Sequence, residues 1–448
     1  MLISGTRRRH RLAAASTALG VLLVGAAGTP AYAESTREQQ WFLDAMQAED
    51  MWQTSTGEGV TVAVIDSGVD PDNPDLEGRV LPGEDFAPDE PGDEHTDYNG
   101  HGTGMAGLIA GTGAWGGGKG AFGLAPGAKI LPIRVPPGES AANKAAQVER
   151  FNEITPKAIR YAADEGAQII NISLGVTAGS PQLTEAVRYA LAKGSLIFAS
   201  VGNSGDEGNL PEYPGATPGV VGVGAVGKDL RRTDESQHGP QVDIAAPGEE
   251  MVHTCGNETG LCTSHGTSDA TALASASAAL IWSEHPDWTN NQVLRVMLNT
   301  IGAPTDGAER NDSIGYGIVR PRIALEAPGN PGPADEYPLP DLSAAEPPAS
   351  PEATSPGDPQ DDTPADQQSP AATATPSDDG NTPLWLALGA GAAVLAAAAL
   401  TLVVRSRRQP ATPVPPPPAP GQFGYPTTAY PPPPNAQSAP SDRYPPST

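Results

Sequence analysis

The chain has 448 residues, with 26 Lys and Arg against 53 Asp and Glu, so its formal net charge is −27 at pH 7. This balance excludes nucleic acid as a default partner, because neutralising phosphates requires clustered cations. Two cysteines are too few for a scaffold built from disulfides, so packing must hold the core together.

The N-terminus has the pattern of an export signal. Four arginines lie within the first 11 residues, an apolar stretch follows, and Ala31-Tyr32-Ala33 ends the segment with small residues at the cleavage positions. The pattern predicts a signal peptide over residues 1–33. A retained membrane anchor is the alternative, which the short apolar stretch and the cleavage pattern disfavour.

Apolar β-rich runs alternate with helical patterns over residues 34–326. The predicted strands are 60–65, 130–135, 169–174, 196–201 and 220–226, and the predicted helices are 101–111, 155–165, 181–193 and 268–284. The alternation predicts an α/β fold in which helices cover both faces of a mostly parallel sheet. Active groups in such sheets gather at the carboxyl ends of the strands.

Cys255 and Cys262 stand late in this region, with six residues between them. In an exported domain, this pair predicts a disulfide that closes a short loop. Two buried free thiols are the alternative.

Proline marks the end of the expected domain. Residues 327–448 hold 29 of the 49 prolines, so we expect the folded part to end near residue 326. Residues 327–383 are rich in proline and acids and contain no Lys or Arg, which predicts an extended linker.

A second apolar segment follows the linker. Residues 384–404 carry no charge, and 21 residues at about 1.5 Å each suffice to cross a hydrocarbon core of roughly 30 Å. Arg405, Arg407 and Arg408 follow directly, so the positive-inside rule places the tail, 405–448, in the cytoplasm and the folded domain outside. A buried helix of a soluble domain is the alternative, which the flanking prolines disfavour.

Three motifs in the folded region carry residues suited to catalysis. Asp66 ends the first predicted strand, His101 opens a helix between glycines, and Ser268 stands at the start of a later helix. Each has an ordinary alternative, as a turn aspartate, a helix-cap histidine and an N-cap serine. A serine nucleophile needs a base, and the base needs a carboxylate to fix its tautomer. Together the three residues predict a catalytic triad.

These motifs resemble those of the subtilisin-like serine proteases. The order Asp, His, Ser is that of subtilisin, and the surrounding segments VAVIDSGVD, NGHGTGMAG, GLAPGAKILPIRV, NISLG, ASVGNSG and HGTSDA stand in family order. The resemblance runs over most of residues 55–320. It implies a subtilisin-like α/β fold and a serine endopeptidase that hydrolyses polypeptides.

The resemblance also implies roles for other residues. Asn203 would donate its side-chain amide to the oxyanion, together with the backbone N–H of Ser268; a turn asparagine is the alternative. Ser173, Leu174 and Gly175 would pair their backbone with the substrate as an added strand. The sequence indicates no cofactor and no metal site, and no calcium ligands stand out among its loop acids.

The nucleophile segment departs from the family pattern G-T-S-x-A-x-P. Ala270 is followed by Thr271 and Ala272, without the usual proline, and Asp269 occupies a position that is often apolar. A carboxylate beside Ser268 could disfavour the oxyanion or tune the pocket. The fewer than 30 residues between Ala33 and the first strand also leave no room for the family's long pro-domain.

The chain as a whole closely resembles one subgroup, the mycosins. These are membrane-anchored subtilisin-like proteases that accompany type VII secretion systems of actinobacteria. The segment QQWFLDAMQAEDMWQ, the export signal, the linker, the membrane helix and the short tail carry this resemblance. It implies a cell-membrane protease that processes substrates of a secretion complex or supports that complex. A scaffold with dispensable proteolysis and a general surface protease are the alternatives.

Overall fold

The computed structural model describes residues 35–345, except 137, 139–140 and 257–258. The predicted signal peptide, membrane span and cytoplasmic tail, and most of the predicted linker, lie outside the described residues. Within the described ranges, no helix combines the length and the hydropathy that a bilayer crossing requires.

Three short helices begin the described chain: α1 (Thr36–Gln39), α2 (Trp41–Met46) and α3 (Ala48–Met51). A capping box starts α1, in which the Ser35 hydroxyl accepts from the Glu38 N–H and the Glu38 carboxylate accepts from the Ser35 N–H. Phe42 and Leu43 of α2 are fully buried. The N-terminal segment is therefore part of the core.

Gln40, between α1 and α2, ties this segment to two distant parts of the chain. Its side-chain amide donates to the carbonyl oxygens of Phe122 (2.8 Å) and Val252 (3.0 Å) and accepts from the N–H of Phe122 (3.0 Å). The side chain is fully buried. Its three hydrogen bonds satisfy backbone groups that water does not reach.

A seven-stranded sheet forms the centre of the described fold. Its strands are β1 (Thr61–Asp66), β2 (Glu84–Asp85), β3 (Lys129–Arg134), β4 (Ile169–Ile172), β5 (Leu196–Ser200), β6 (Val221–Val226) and β7 (Ile244–Pro247). Their order is β2-β3-β1-β4-β5-β6-β7, and each neighbouring pair is parallel. A separate antiparallel pair follows, β8 (Met251–Thr254) with β9 (Leu261–Ser264).

The remaining helices of the described chain connect and cover these strands. They are α4 (His101–Ala110), α5 (Trp115–Gly118), α6 (Lys144–Asp164), α7 (Pro181–Ala192), α8 (Thr267–Glu284), α9 (Asn290–Asn299), α10 (Pro321–Glu326) and α11 (Pro340–Ala344).

The side chains of β1 alternate between two hydrophobic clusters. Val62 and Val64 belong to the cluster that contains residues of α4, α8 and α9, whereas Ala63 and Ile65 belong to the cluster with α6 and α7. Because successive side chains of a strand point to opposite faces, both faces of the sheet are covered. The predicted α/β fold with a parallel sheet is confirmed.

Helix α8 runs through the core and is buried along most of its length. Ala270, Ala274 and Ala278 recur every fourth residue and are fully buried, so this side of the helix carries only methyl groups. Small side chains let a helix backbone approach a sheet closely. This packing fixes the N-terminus of α8, where Ser268 lies.

The predicted strands and helices agree with the structure except for one helix, α6, whose polar first part was not predicted. The five predicted strands are present, with ends shifted by at most two residues. Helix α6 begins at Lys144 rather than near residue 155, because Asn143 caps it by accepting from the N–H of Ala146. The first turns of α6 contain no buried residue, so they carry little hydrophobic signal.

The folded part of the chain extends beyond residue 326, where we expected it to end. Leu339 is buried, and the Tyr337 hydroxyl donates to the carbonyl oxygen of Gly219 (3.0 Å). The guanidinium of Arg295 donates to three carbonyl oxygens of residues 331–336. Proline content was misleading here because these prolines lie in a segment that side chains hold against the domain.

Cys255 and Cys262 are joined by a disulfide in the structure, with their Cα atoms 5.8 Å apart. Cys255 directly follows β8 and Cys262 belongs to β9. The bridge therefore closes the connection between these two strands.

We expect Gln40→Ala to lower the free energy of unfolding by about 3 kcal/mol, because it leaves buried backbone groups of Phe122 and Val252 without partners. Chemical denaturation followed by circular dichroism measures the change. Gln53 is exposed, so Gln53→Ala is the control and should alter stability by less than about 0.5 kcal/mol. Equal losses in the two variants would contradict the role given to Gln40.

Candidate active site

Asp66 and His101 are in direct contact where β1 ends and α4 begins. The Nδ1 of His101 lies 2.7 Å from Oδ1 of Asp66. Asp66 is fully buried, and the same oxygen also accepts from the N–H of Ser67 (2.8 Å). A Cβ on Gly102 would lie 2.1 Å from the carbonyl oxygen of Gly68. Only glycine at position 102 therefore lets α4 approach this turn so closely.

The charge around His101 favours its protonated form. Burial opposes protonation, but the charge and hydrogen bond of Asp66, with smaller contributions from Asp269 and Asp97, raise the pKa of His101 to about 9. The neutral imidazole, which can accept a proton, therefore predominates only above that pH. Below it, the ring is held as an imidazolium against Asp66.

Asp97 holds the turn before α4 and was not identified from the sequence. Its Oδ1 accepts from the Ser67 hydroxyl (2.9 Å) and the Gly100 N–H (2.7 Å), and its Oδ2 accepts from the N–H (2.8 Å) and hydroxyl (2.7 Å) of Thr103. These four bonds position the start of α4, and with it His101. An acid four residues before a helix-opening histidine was the available signal.

Ser268 lies in the first turn of α8, and its hydroxyl donates to the carbonyl oxygen of Ser173 (3.1 Å). The hydroxyl of Ser173 in turn donates to the carbonyl oxygen of Ser268 (3.1 Å). Within the described part of the chain, no hydrogen bond joins Ser268 to His101. A bond to the imidazole therefore requires the hydroxyl of Ser268 to leave the Ser173 carbonyl.

Two side-chain hydrogen bonds in the core link α8 to β4 and to Ser173, the partner of Ser268. The Ser275 hydroxyl donates to Oδ1 of Asn171 (2.9 Å), and Nδ2 of Asn171 donates to the hydroxyl of Ser173 (3.1 Å). Asn171 and Ser275 are fully buried. Sequence reasoning did not assign either residue a role, because Asn171 and Ser275, which bond to each other, are 104 residues apart along the chain.

Asn203 follows β5 and lies beside the start of α8. Its Oδ1 accepts from both the N–H and the hydroxyl of Thr267, each at 2.9 Å. Among the described residues, its Nδ2 has no hydrogen-bond acceptor, so a ligand can supply one. Gly266 has φ +129°, and a Cβ there would lie 2.8 Å from this Nδ2, so glycine is required for the approach.

One cleft of about 660 Å³ is lined by His101, Asn203 and Ser268. The structure thus brings the predicted base, oxyanion donor and nucleophile to a common surface, with Asp66 buried behind the base. Cys255 and Cys262 line the same cleft.

Asp269 lies in the wall of this cleft and is almost completely buried. Burial raises the pKa of Asp269, while a hydrogen bond from the Ser264 hydroxyl and the nearby His253 and His101 oppose the rise. The ring of His253 packs against Gly104, where a Cβ would lie 2.6 Å from its Cε1. Asp269 therefore influences His101 through space, as Asp97 also does, whereas Asp66 is bonded to it directly.

Ser173, Leu174 and Gly175 follow β4 directly and remain close to Ser268 through the paired bonds of Ser173. A small pocket of about 70 Å³ lies beside Leu174 and Gly175, lined also by Val135, Phe151 and Ile154. An extended peptide along this segment would pass an apolar recess.

Among the described residues, no three His, Cys, Asp or Glu side chains form a group that could hold a metal ion.

The arrangement around Asp66, His101 and Ser268 has the elements of nucleophilic acyl transfer, which are a hydroxyl, an imidazole with a bonded carboxylate, and an amide donor.

The model of the subtilase family matches residues 57–317, more than half of the chain. The chain belongs to the subtilase family. This subtilase is similar to the intracellular serine protease of Paenibacillus polymyxa, with 37% identity over 244 residues, which cover 53% of this chain and 71% of that protein. It is also similar to thermitase from Thermoactinomyces vulgaris, with 34% identity over 246 residues, 55% of this chain and 83% of thermitase.

Solved structures of similar fold include MycP1 from Mycobacterium smegmatis, with TM-score 0.57 and 27% identity over 68% of this chain and 89% of that one. The MycP3 protease from the type VII (ESX-3) secretion system has TM-score 0.55 and 33% identity over 66% of this chain and 90% of that one. These relatives confirm the prediction of a subtilisin-like serine protease.

We expect kcat/KM to rise with pH through about 9, because the base must be neutral to accept a proton and Asp66 raises the pKa of His101 to about 9. A pH–rate profile between pH 6 and 11 with a short peptide substrate measures this. A profile that is already level at pH 7 would contradict it.

We expect Asp269→Asn to move that profile to lower pH by roughly half a unit to one unit, because a nearby negative charge that favours the imidazolium is removed. Asp70→Asn removes an equal charge from the same cleft and is the control. If both variants shift the profile equally, the effect belongs to the general field of the cleft and not to Asp269.

Proposed function

We propose that this subtilase is a membrane-anchored endopeptidase of the mycosin type. Ser268 is its nucleophile, His101 its general base and then acid, Asp66 the carboxylate that orients His101, and Asn203 an oxyanion donor. The observation that carries the catalytic assignment is the 2.7 Å contact between Nδ1 of His101 and the buried carboxylate of Asp66. It leaves Nε2 as the atom that exchanges a proton with Ser268.

Acylation begins when the hydroxyl of Ser268 exchanges the carbonyl of Ser173 for His101. As Oγ attacks the scissile carbonyl carbon, Nε2 accepts its proton, and Asp66 stabilises the imidazolium. Negative charge develops on the carbonyl oxygen. Nδ2 of Asn203 and the backbone N–H of Ser268, in the first turn of α8, are the donors for that charge.

Collapse of the tetrahedral intermediate breaks the C–N bond, and Nε2–H of His101 protonates the leaving amine. The product is an ester between Ser268 and the acyl part of the substrate. Water, deprotonated by the same imidazole, then hydrolyses the ester and regenerates the hydroxyl.

The position at the cell membrane is supported by the sequence and by the relatives. An export signal over 1–33 and an apolar span over 384–404 with arginines behind it place the domain outside and the tail, 405–448, inside. Similar structures include MycP1 from the ESX-1 type VII secretion system and the MycP3 protease from the type VII (ESX-3) secretion system. The proposed role is to process substrates of such a system or to support its membrane complex.

A scaffold role with dispensable proteolysis is the second candidate. Two observations favour it: the hydroxyl of Ser268 is bonded to Ser173 and not to His101, and a buried carboxylate, Asp269, follows the nucleophile. Both features weaken the nucleophile in this conformation.

We expect Ser268→Ala to abolish labelling by a fluorophosphonate probe, because the probe reacts with an activated serine hydroxyl. Thr263→Val removes another hydroxyl that lines the same cleft, at an exposed residue, and should leave labelling intact. Undiminished labelling of Ser268→Ala would refute the assignment of the nucleophile.

A comparison of strains then separates the two roles. If the Ser268→Ala strain fails to secrete, as a deletion strain does, proteolysis is required. Normal secretion by Ser268→Ala cells and a defect in the deletion strain would make the scaffold role the essential one. Normal secretion by both strains, with broad degradation of casein, would indicate a general surface protease.

A further inference from the structure

Two segments that follow neighbouring strands border the place where the proposed function puts the scissile bond. Strands β4 and β5 are neighbours, with Ile172 paired to Ala199, so the segments that follow them leave the sheet side by side. The first segment, 173–175, is the proposed track for the substrate backbone, and the second ends in Asn203, the proposed oxyanion donor. With the scissile carbonyl at Asn203, the preceding side chain enters between the two segments.

Each segment carries a glycine, and the carboxylate of Glu212 lies against both glycines. A Cβ on Gly175 would lie 2.8 Å from Oε2 of Glu212, and a Cβ on Gly202 would lie 2.7 Å from its Cδ. Any larger residue at either position would collide with the carboxylate. The carboxylate of Glu212 therefore lies directly against bare backbone on both sides.

Glu212 is held in this position by its neighbours. Tyr213, the next residue, pairs with Val176 in both directions, its N–H donating at 2.7 Å and its carbonyl oxygen accepting at 3.0 Å. Oε1 of Glu212 accepts from Nε2 of the fully buried Gln237 (3.1 Å), whose N–H donates to the carbonyl oxygen of Gly202 (3.0 Å). The carboxylate is thus anchored on both sides of the space.

The carboxylate of Glu212 has no cationic partner among the residues that the structure describes. In the described ranges, no Lys, Arg or His nitrogen lies within 4.0 Å of its carboxylate. The carboxylate accepts a hydrogen bond from the side-chain amide of Gln237, which is neutral. The residue is half-buried, and burial raises its pKa, against the hydrogen bond from Gln237. A cation brought by a ligand would relieve this uncompensated charge.

We propose that Glu212 forms the floor of the pocket for the residue before the scissile bond and that this enzyme cleaves after Lys or Arg. The inference rests on the proposed function, because Ser268 and Asn203 define where the scissile bond lies. The aliphatic stem of the basic residue would lie along the backbone at Gly175 and Gly202, and its charged end would meet the carboxylate.

The test uses the purified full chain and fluorogenic peptides that differ only in the residue before the scissile bond: Lys, Arg, Gln, Ala, Phe or Glu. We expect kcat/KM for Lys and Arg to exceed that for Gln by about 10- to 100-fold, as for a charge pair that forms in a partly desolvated site. Glu212→Gln keeps the shape of the floor and should lower the values for Lys and Arg by a similar factor while leaving Ala unchanged. Asp206 is exposed and lines a neighbouring cavity, so Asp206→Asn is the control and should change neither.

Four outcomes would overturn the inference. Preference for Ala with poor cleavage after Lys would mean that Glu212 fills the pocket and selects small residues. Equal losses on all peptides in Glu212→Gln would mean a structural role alone. If the unaltered enzyme hydrolyses none of the peptides and does not react with a fluorophosphonate, the proposed function fails, and the specificity fails with it. Labelling without preference for basic residues contradicts the specificity alone.

Discussion

The hydrogen bond between His101 and the buried carboxylate of Asp66 is the contact on which the rest of the site depends. It joins the carboxyl end of the central strand β1 to the first residue of α4, and glycine at position 102 permits the approach. The same bond fixes the tautomer of the imidazole and raises its pKa. Structure and reactivity are therefore set by one pair of atoms, which are 35 residues apart in the sequence.

Three acidic residues near the site, Asp97, Asp269 and Glu212, differ in the number of hydrogen bonds that their carboxylates accept. Asp97 accepts four hydrogen bonds from the turn that it organises, so both of its oxygens are engaged in holding that turn. Asp269 and Glu212 accept fewer bonds and border the spaces where a substrate would lie. Because a carboxylate with few internal partners remains available to a ligand's charge, we expect these two acids to influence catalysis and specificity in addition to Asp66.

Both ends of the described chain complete the core outside the region that matches the family. Gln40, before residue 57, bonds to the backbone of Phe122 in the loop before β3 and of Val252 in β8. Tyr337, after residue 317, bonds to the loop before β6. Phe42 and Leu339 are buried with these polar contacts. The ends are thus bound both by apolar burial and by hydrogen bonds to backbone groups that would otherwise lack partners.

The sequence by itself determined the elements whose signal is local. Alternating apolar runs gave the five central strands, and the motifs around Asp66, His101 and Ser268 gave the residue types and order of an acyl-transfer site. Tertiary structure alone decided that the hydroxyl of Ser268 bonds to Ser173, and that Glu212 lies between two glycines. Such contacts join residues from separate strands and loops, and no periodicity or short motif records which distant backbone will be their neighbour.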